Sequence, residues 1–362
     1  MNLPDFKEFI KTLLGPFYKP ARDYVFGPFY GVISGLWDPT QNIFMLYLLT
    51  SVVIALLVYK VNYSNGKSLS LSNFFRYLVP KEIYAHKSAL IDYKFFVVNA
   101  YVYKFLLGWT VIFSSQLLGG QVASLLRASF GIGPQWQPTI TSKILYTILI
   151  VMAFDLGSYI SHYLRHSIPL LWQFHKVHHS AEVLTPITTF RNHPIDDLVQ
   201  SLILPVFTGA TAGIFGYLYP NGITEYTIIN LSVIIFFFHI INNLYHTHVW
   251  LSYGWRLNHV LISPCMHQIH HSSEKRHFDC NFAQICAFWD YLGGTLYVPK
   301  DLEKLKYGIS NNEHVEFNSL LTLYTLPFKK AFALIKSKGA ASLASRLEGR
   351  RDNTRLDKVS LR

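Results

Sequence analysis

The 362-residue sequence is short of charge. Asp, Glu, Lys and Arg make up 15% of it and hydrophobic residues 51%, whereas soluble proteins carry about 25% charged residues. Cysteine is also scarce, since Cys265, Cys280 and Cys286 are too few for a disulfide framework and lack zinc-ribbon spacing. The first 20 residues lack the sustained apolar stretch of a signal peptide. The composition indicates a membrane protein, and the few cysteines indicate either a reducing compartment or nothing about the redox environment.

The excess of basic residues does not indicate a nucleic-acid partner. The net charge is +11, but the basic residues cluster in loops and in the segment Lys329–Arg362, without aromatic interleaving or a nucleic-acid-binding motif. A basic face beside a membrane explains this pattern more simply.

Five segments are apolar enough to compete for the bilayer, which needs roughly 20 such residues per helix. They are Ile43–Tyr59, Phe95–Leu118, Ile144–Ile160, Val199–Tyr219 and Tyr226–Tyr245. The last two are joined by "PNGITE" and are predicted to form a helical hairpin. The predicted fold is an all-α integral membrane protein with about four to five transmembrane helices and a cytoplasmic helical cap that carries a histidine-rich dimetal site.

The distribution of Lys and Arg predicts the orientation. The loop between the first two segments, the loop over 161–200 and the C-terminal segment are basic, so we expect them on the cytoplasmic side and the N-terminus outside. Three regions are expected: 1–90 with the first span and a basic loop, 91–300 as the catalytic domain, and 301–362 as a basic cytoplasmic tail.

Histidine is concentrated in one part of the chain. Fourteen of the 16 histidines lie between His162 and His277, and their spacing is patterned. A pair spaced i, i+4 and two triads spaced i, i+3, i+4 each place their imidazoles on one helical face. These eight residues are His162, His166, His175, His178, His179, His267, His270 and His271. Eight imidazoles exceed the needs of one metal ion, so the pattern predicts two.

Other histidines are candidates for the remaining coordination positions. His193 follows the first triad, whereas His239, His246 and His248 lie near the end of the fifth segment. By contrast, isolated histidines such as His86, His259 and His314 are expected to be solvated or packed.

The number and placement of the histidines argue against three common kinds of metal site. Structural zinc is usually closed by cysteines, a b-type haem needs only two axial histidines, and a metal transporter places its ligands near the middle of its spans. Many histidines at span ends, next to lipid, favour non-haem iron that activates O₂.

The motifs resemble those of a known family. "HYLRH", "LWQFHKVHHSAEVLTPITTFRNHP" and "SPCMHQIHHSSEKRHFDCNFAQICAFWDYLGGTLYVP" are similar to the fatty acid hydroxylase and sterol desaturase superfamily, especially its bacterial-type, alkylglycerol-monooxygenase-like branch. The resemblance covers about residues 155–299. It implies a membrane enzyme with a di-iron centre on the cytoplasmic face, with the eight motif histidines as ligands.

The resemblance makes His193 and His246 the next ligands, with His246 preferred over His248 and with His277 as a weaker candidate. Asp196 and Asp197 stand where the family usually carries a glutamate, and "GGT" at Gly293–Thr295 replaces a bulky residue followed by "GT". We expect neither departure to touch a ligand.

Carboxylates and amides near the histidines are candidates for orienting the ligand rings. Asp155 lies two helical turns before His162, and a carboxylate inside a span needs a partner. Asp279, Asn281 and Asp290 follow the last triad and are expected to act in the same way, with helix capping as the alternative for Asp279 and Asn281.

The sequence therefore predicts an O₂-dependent oxygenase that hydroxylates or desaturates an unactivated C–H bond of a lipid such as a fatty acyl chain, an ether lipid or a sterol. Its cofactors are two iron ions, which zinc can replace on purification, and its electrons come from a separate donor. The alternatives are a non-catalytic membrane scaffold or sensor that retains the metal site, and a haem-bearing electron carrier. The site is expected on the inner membrane in a bacterium or on the endoplasmic reticulum in a eukaryote.

Overall fold

The computed structural model describes the backbone of residues 30–62, 70–112 and 114–337, and the side chains of all of these except 104–112. Within these ranges the chain is mainly helical. The helices are α1 (Met45–Asn62), α2 (Leu71–Leu78), α3 (Lys81–Tyr84), α4 (Lys87–Ile112), α5 (Ser115–Phe130), α6 (Ile140–Ser167), α7 (Pro169–His179), α8 (Pro194–Leu218), α9 (Val233–Asn242), α10 (Trp255–Asn258), α11 (Pro264–His270), α12 (Phe288–Gly293) and α13 (320–337).

Short elements connect the helices. The 3₁₀ turns are Gly35–Trp37, Pro186–Phe190, Lys275–His277 and Ser310–Glu316. One antiparallel hairpin joins β1 (Thr227–Ile228) to β2 (Leu231–Ser232), with Thr227 opposite Ser232. The expected N-terminal segment and the end of the C-terminal tail lie largely outside the described residues.

Three of the described helices are long and apolar enough to cross a membrane. They are α1, α6 and α8, with mean hydropathies of 1.7 to 1.8 over their most apolar windows. These helices indicate that the chain is integrated into a membrane, and they correspond to the first, third and fourth predicted segments.

The second and fifth predicted segments are not single helices. In the second, α4 ends at Ile112 and α5 begins at Ser115, because the side chain of Ser114 accepts the Leu117 N–H and caps a new helix. In the fifth, the β1–β2 hairpin turns through Ile229 and Asn230, both with positive φ. Only the 10 residues of α9 remain helical, about 15 Å of helix against a hydrocarbon core of about 30 Å.

Helix α8 packs closely against α5 and α6. The contact with α5 depends on small residues, since a Cβ atom at Gly213 would lie 2.6 Å from the Gly119 carbonyl oxygen. Small residues that let two helix backbones approach closely are enriched where helices associate within membranes.

Two polar networks hold the elements around the histidines. Buried Arg191 pairs with Asp92 of α4 at 2.5 Å and donates to the Val177 carbonyl and the Ser180 hydroxyl at the end of α7. Glu313 accepts from Lys176 of α7 at 2.8 Å and from Lys330 of α13 at 2.7 Å. The described residues beyond 301 therefore pack against the histidine-bearing helices.

Candidate metal centre

Nine histidines from separate parts of the chain meet at the end of α6. They are supplied by the end of α6, by helix α7, by the turn after α9, and by α11 with the residue that follows it. They form two groups in each of which the candidate ligand atoms lie within 4.8 Å of one another. The five-histidine group is His162, His166, His175, His179 and His270, and the four-histidine group is His178, His246, His267 and His271.

The four-histidine group has the dimensions of a tetrahedral cation site. The Nε2 atom of His246 lies 3.3, 3.1 and 3.2 Å from the Nε2 atoms of His178, His271 and His267. With metal–nitrogen bonds of about 2.0–2.1 Å, ligand nitrogens at the corners of a tetrahedron stand roughly 3.3–3.4 Å apart. The four nitrogens are thus placed to coordinate one ion.

The five-histidine group presents unprotonated nitrogens to a common centre. The Nδ1 atoms of His162 and His270 lie 2.8 and 2.7 Å from the Phe282 and Cys280 carbonyl oxygens, and that of His175 lies 3.0 Å from the Asp196 carboxylate. Because these oxygens only accept, Nδ1 carries the proton and Nε2 of the neutral ring is bare. All three Nε2 atoms are buried without a hydrogen-bond partner in the described part of the chain, as expected for cation ligands.

Burial keeps the imidazoles of both groups neutral. Loss of solvation lowers the pKa of His246 and of His270 to about 3. Loss of solvation, reinforced by neighbouring histidines, holds the pKa values of His178, His267 and His271 well below the usual range. At neutral pH their lone pairs are available to a cation.

A polar layer behind the rings fixes their orientation. Besides the two carbonyls and Asp196, the Thr189 hydroxyl lies 2.8 Å from Nδ1 of His246. Asp196 is itself held by Arg165 at 2.8 Å. The expectation that the Asp196–Asp197 pair touches no ligand candidate was wrong for Asp196, because its carboxylate faces His175 from the first turn of α8. Asp197 instead accepts from the Tyr103 hydroxyl.

Three of the four residues predicted to orient ligand rings bind the backbone around the loop between α11 and α12 and form no hydrogen bond with a described imidazole. Buried Asp155 accepts the backbone N–H groups of residues 284–286 at 2.7 to 3.3 Å, and Asp290 accepts those of Phe282 and Ala283. Asn281 donates to the carbonyls of Met266 and Tyr297. Asp279 is 75% exposed, with a carboxylate oxygen 3.6 Å from Nδ1 of His166.

The other candidate histidines lie outside both groups. His193 caps α8, with Nδ1 accepting the Ile195 N–H and Nε2 donating to the Tyr324 carbonyl. His248 donates to the Tyr77 carbonyl at 2.6 Å, His277 lies 3.1 Å from Glu303, and His239 stacks on Tyr47. The structure thus brings together nine of the thirteen histidines named as ligands or candidate ligands.

A cavity of about 260 Å³ opens onto the five-histidine group. Its lining residues are His166, Trp172, His179, His270, Ser272, Phe278, Asp279, Gly308, Ile309 and Ser310. The cavity gives small molecules access to the convergent nitrogens, between polar and aromatic walls.

The sequence of this region is similar to those of known lipid-modifying proteins. The family model described as fatty acid hydroxylase matches residues 147–295. The chain is 26% identical to an ornithine lipid hydroxylase of Rhizobium tropici over 52% of its own length and 53% of the relative. It is 27% identical to an alkylglycerol monooxygenase of Xenopus tropicalis over 45% and 32% of the two chains.

A third relative is a Delta(7)-sterol 5(6)-desaturase of Gibberella zeae, 31% identical over 42% of each chain. The chain spans about half or less of the length of these relatives. No solved structure matches it.

Proposed function

We propose that this chain, a member of the fatty acid hydroxylase and sterol desaturase superfamily with a fatty acid hydroxylase domain over residues 147–295, is a di-iron oxygenase that oxidises an unactivated C–H bond of a lipid. Hydroxylation is the preferred outcome and desaturation the alternative. The relatives named above are a lipid hydroxylase, an alkylglycerol monooxygenase and a sterol desaturase, and lipid C–H oxidation is what they have in common.

One observation carries the proposal: two adjacent groups of buried, neutral histidines converge at the end of an apolar helix. Imidazole suits iron, copper, nickel and zinc. A purely structural zinc site needs four ligands, whereas five plus four are placed here. Two adjacent metal positions beside a membrane fit an oxidation of lipid better than a structural role.

Two bound iron ions would supply the redox chemistry between O₂ and the C–H bond. The electron balance requires a donor, because O₂ takes four electrons, of which the C–H bond supplies two. The other two come from a separate reductant, and in a hydroxylation one oxygen atom enters the lipid while the other leaves as water.

The chain's own residues contribute position and exclusion of water. The carbonyls of Cys280 and Phe282, the Asp196 carboxylate and the Thr189 hydroxyl fix four ligand rings, so the nitrogens need little rearrangement when a cation binds. Eight of the nine histidines are buried and His166 is partly buried, which limits the access of bulk water to the site and protects reactive species.

We place the site on the cytoplasmic face. Arg165 and Arg191 lie at the histidine end of the fold. The Tyr77–His248 hydrogen bond and the Asp92–Arg191 pair bring the segment with Arg76, Lys81 and Lys87 to the same end. An excess of Lys and Arg on one side predicts that this side is cytoplasmic.

The test is a lipid analysis of cells that express the chain under ¹⁸O-labelled O₂. The proposal predicts a lipid species that gains one labelled oxygen atom, or loses two hydrogen atoms, and disappears with the variant His178→Ala. The matched control His259→Ala changes an exposed histidine outside both groups and is expected to retain the product.

The alternative function is that of a membrane scaffold or sensor, which binds metal but catalyses no reaction. It predicts full metal occupancy with no change in any lipid, even when a strong reductant is supplied to the purified protein with total lipid extract. That result would overturn the proposed reaction while leaving the metal site in place.

A further inference from the structure

The loop that holds the ligand rings of His162 and His270 lies deep beside α6. Between Lys143 and Arg165, Asp155 is the one Asp, Glu, Lys or Arg in α6, and this stretch is about 33 Å long at 1.5 Å per residue. It therefore matches a hydrocarbon core of about 30 Å. Asp155 stands about 15 Å from Arg165 along the helix axis, close to the middle of the bilayer.

Residues 284–286 are anchored at this depth. Their backbone N–H groups donate to Asp155. The Cys286 sulfur lies 3.9 Å from the sulfur of Met152, which precedes Asp155 by almost one turn of α6. At the other end of α12, a Cβ atom at Gly293 would collide with the Tyr159 hydroxyl group. The segment therefore runs along the half of α6 that leads from the midplane towards the histidines.

The irregular backbone of this segment has its N–H groups hydrogen-bonded within the protein, as burial in hydrocarbon requires. Every backbone N–H from residue 281 to residue 287 has an acceptor within the chain: the Thr295 carbonyl, Asp290 twice, Asp155 three times and the Val260 carbonyl. The Tyr245 hydroxyl donates to the Ile262 and Gln284 carbonyls. Non-helical backbone is tolerated at membrane depth only when its polar groups are satisfied by protein in this way.

The outer side of the segment is apolar and exposed. Val260, Leu261, Phe288, Tyr291 and Leu292 are 57%, 38%, 46%, 68% and 62% exposed, and the bridge between Leu261 and Cys286 makes them neighbours. We call these five residues the leaflet surface. Exposed Arg256 precedes it in α10, and the length of an Arg side chain lets its charge reach the interface.

We infer that residues 260–262 and 281–292 form a re-entrant segment, which enters the bilayer from the histidine side, stops near the midplane and contacts the acyl chains of that leaflet through the leaflet surface. The occupant that we propose is lipid, because the depth set by Asp155 places this surface in hydrocarbon, and contact with a second copy of the chain is a separate outcome of the test. The loop that orients the rings of His162 and His270 is then supported from within the membrane, whether or not the chain oxidises lipids.

The inference is tested by depth-dependent fluorescence quenching in proteoliposomes of phosphatidylcholine. A Cys286→Ser background removes the one half-exposed cysteine, because Cys265 and Cys280 are buried. Phe288→Cys is labelled with an environment-sensitive fluorophore, and phospholipids with a nitroxide deep in the acyl chain or at the headgroup serve as quenchers. Lys304→Cys, at an exposed position outside the segment, is the control, and Leu292→Cys replaces Phe288→Cys if that variant fails to fold.

We expect the label at position 288 to lose more emission to the deep nitroxide than to the headgroup nitroxide, and the label at 304 to lose emission to neither. Equal, weak quenching at 288 and 304 would place the surface in water and overturn the inference. Weak quenching at 288 that rises when the protein is diluted in lipid would assign the surface to a second copy of the chain, which also contradicts it.

Discussion

At the scale of single residues, the chemistry of the site depends on which imidazole nitrogen carries the proton. His162, His175 and His270 each have Nδ1 fixed by an oxygen, which leaves Nε2 bare. His178 and His267 have the opposite pattern, with Nε2 in the four-histidine group and a buried Nδ1 that lacks a partner in the described part of the chain. The five-histidine group is therefore the better oriented of the two.

The pair Asp196 and Asp197 allows a sharp test of this orientation. Asp196→Asn weakens the acceptor for His175 and disturbs the ion pair with Arg165, so we expect metal affinity of the five-histidine group to fall about 10- to 100-fold, as for other partners of metal-binding histidines. The measurement is a competition titration against a chelator, which resolves the two metals by affinity.

The control is Asp197→Asn, one residue further along α8, whose carboxylate faces Tyr103 and not a histidine. It should leave both affinities near those of the unsubstituted chain. Equal losses in the two variants would mean that Asp196 only stabilises the start of α8.

Sequence spacing predicts the site at this scale because ligands on one helical face recur at i, i+3 and i+4. The two triads and the i, i+4 pair all lie in the two groups. Spacing fails where a histidine has a second use, as when His193 caps a helix beside a proline. It also fails for Asp196, whose place in the first turn is typical of a helix-stabilising acid, and for backbone carbonyls, which have no sequence signature.

At the scale of elements, the loop between α11 and α12 joins the histidines to the membrane helix. Its carbonyls face His162 and His270, while its amides face Asp155 and Asp290. The sequence identified both acids as orienting groups, but their effect on the rings passes through backbone that only the folded chain brings together.

Asp155→Asn tests this connection. Its amide group keeps one acceptor oxygen but turns an N–H donor towards backbone N–H groups, and an unsatisfied buried donor costs about 1–3 kcal/mol. We expect a lower melting temperature in detergent and a loss of metal from the five-histidine group.

Asp279→Asn is the matched control, because its side chain is 75% exposed and Asn tolerates the positive φ of this residue. Surface changes of this kind shift stability by about 0.5 kcal/mol or less. A melting temperature as low as that of Asp155→Asn would count against the loop as the sensitive element.

Elements were predicted where one long apolar run has clear ends, as in α6 and α8, although both helices begin four to five residues before the predicted segments and α6 ends seven residues after its segment. They were missed where short polar signals interrupt an apolar run. Ser114 starts a new helix inside the second predicted segment, and Asn230 turns the chain back inside the fifth. Apolar composition cannot separate a membrane-spanning helix from a hairpin followed by a short helix, because both satisfy the same average hydropathy.

At the scale of the whole molecule, three apolar helices carry a polar, histidine-rich region at one end. Apolar runs and histidine spacing predicted this arrangement, and the family resemblance predicted the chemistry that we propose for it. Residues 301–362 were predicted only as a basic tail, whereas residues 309–328 pack against α4 and α7. Pairs such as Glu313 with Lys176 are separated by more than one hundred residues, and no local sequence pattern predicts them.

The most direct test of the account is the metal content per chain, measured by elemental analysis of detergent-purified protein from iron-supplemented cells. The account predicts two metals per chain, including iron, with a clear loss in His178→Ala. The control His193→Asn, which can still cap α8, should keep both metals. One metal or none in the unsubstituted chain, or an occupancy indifferent to His178→Ala, would contradict the two-metal centre.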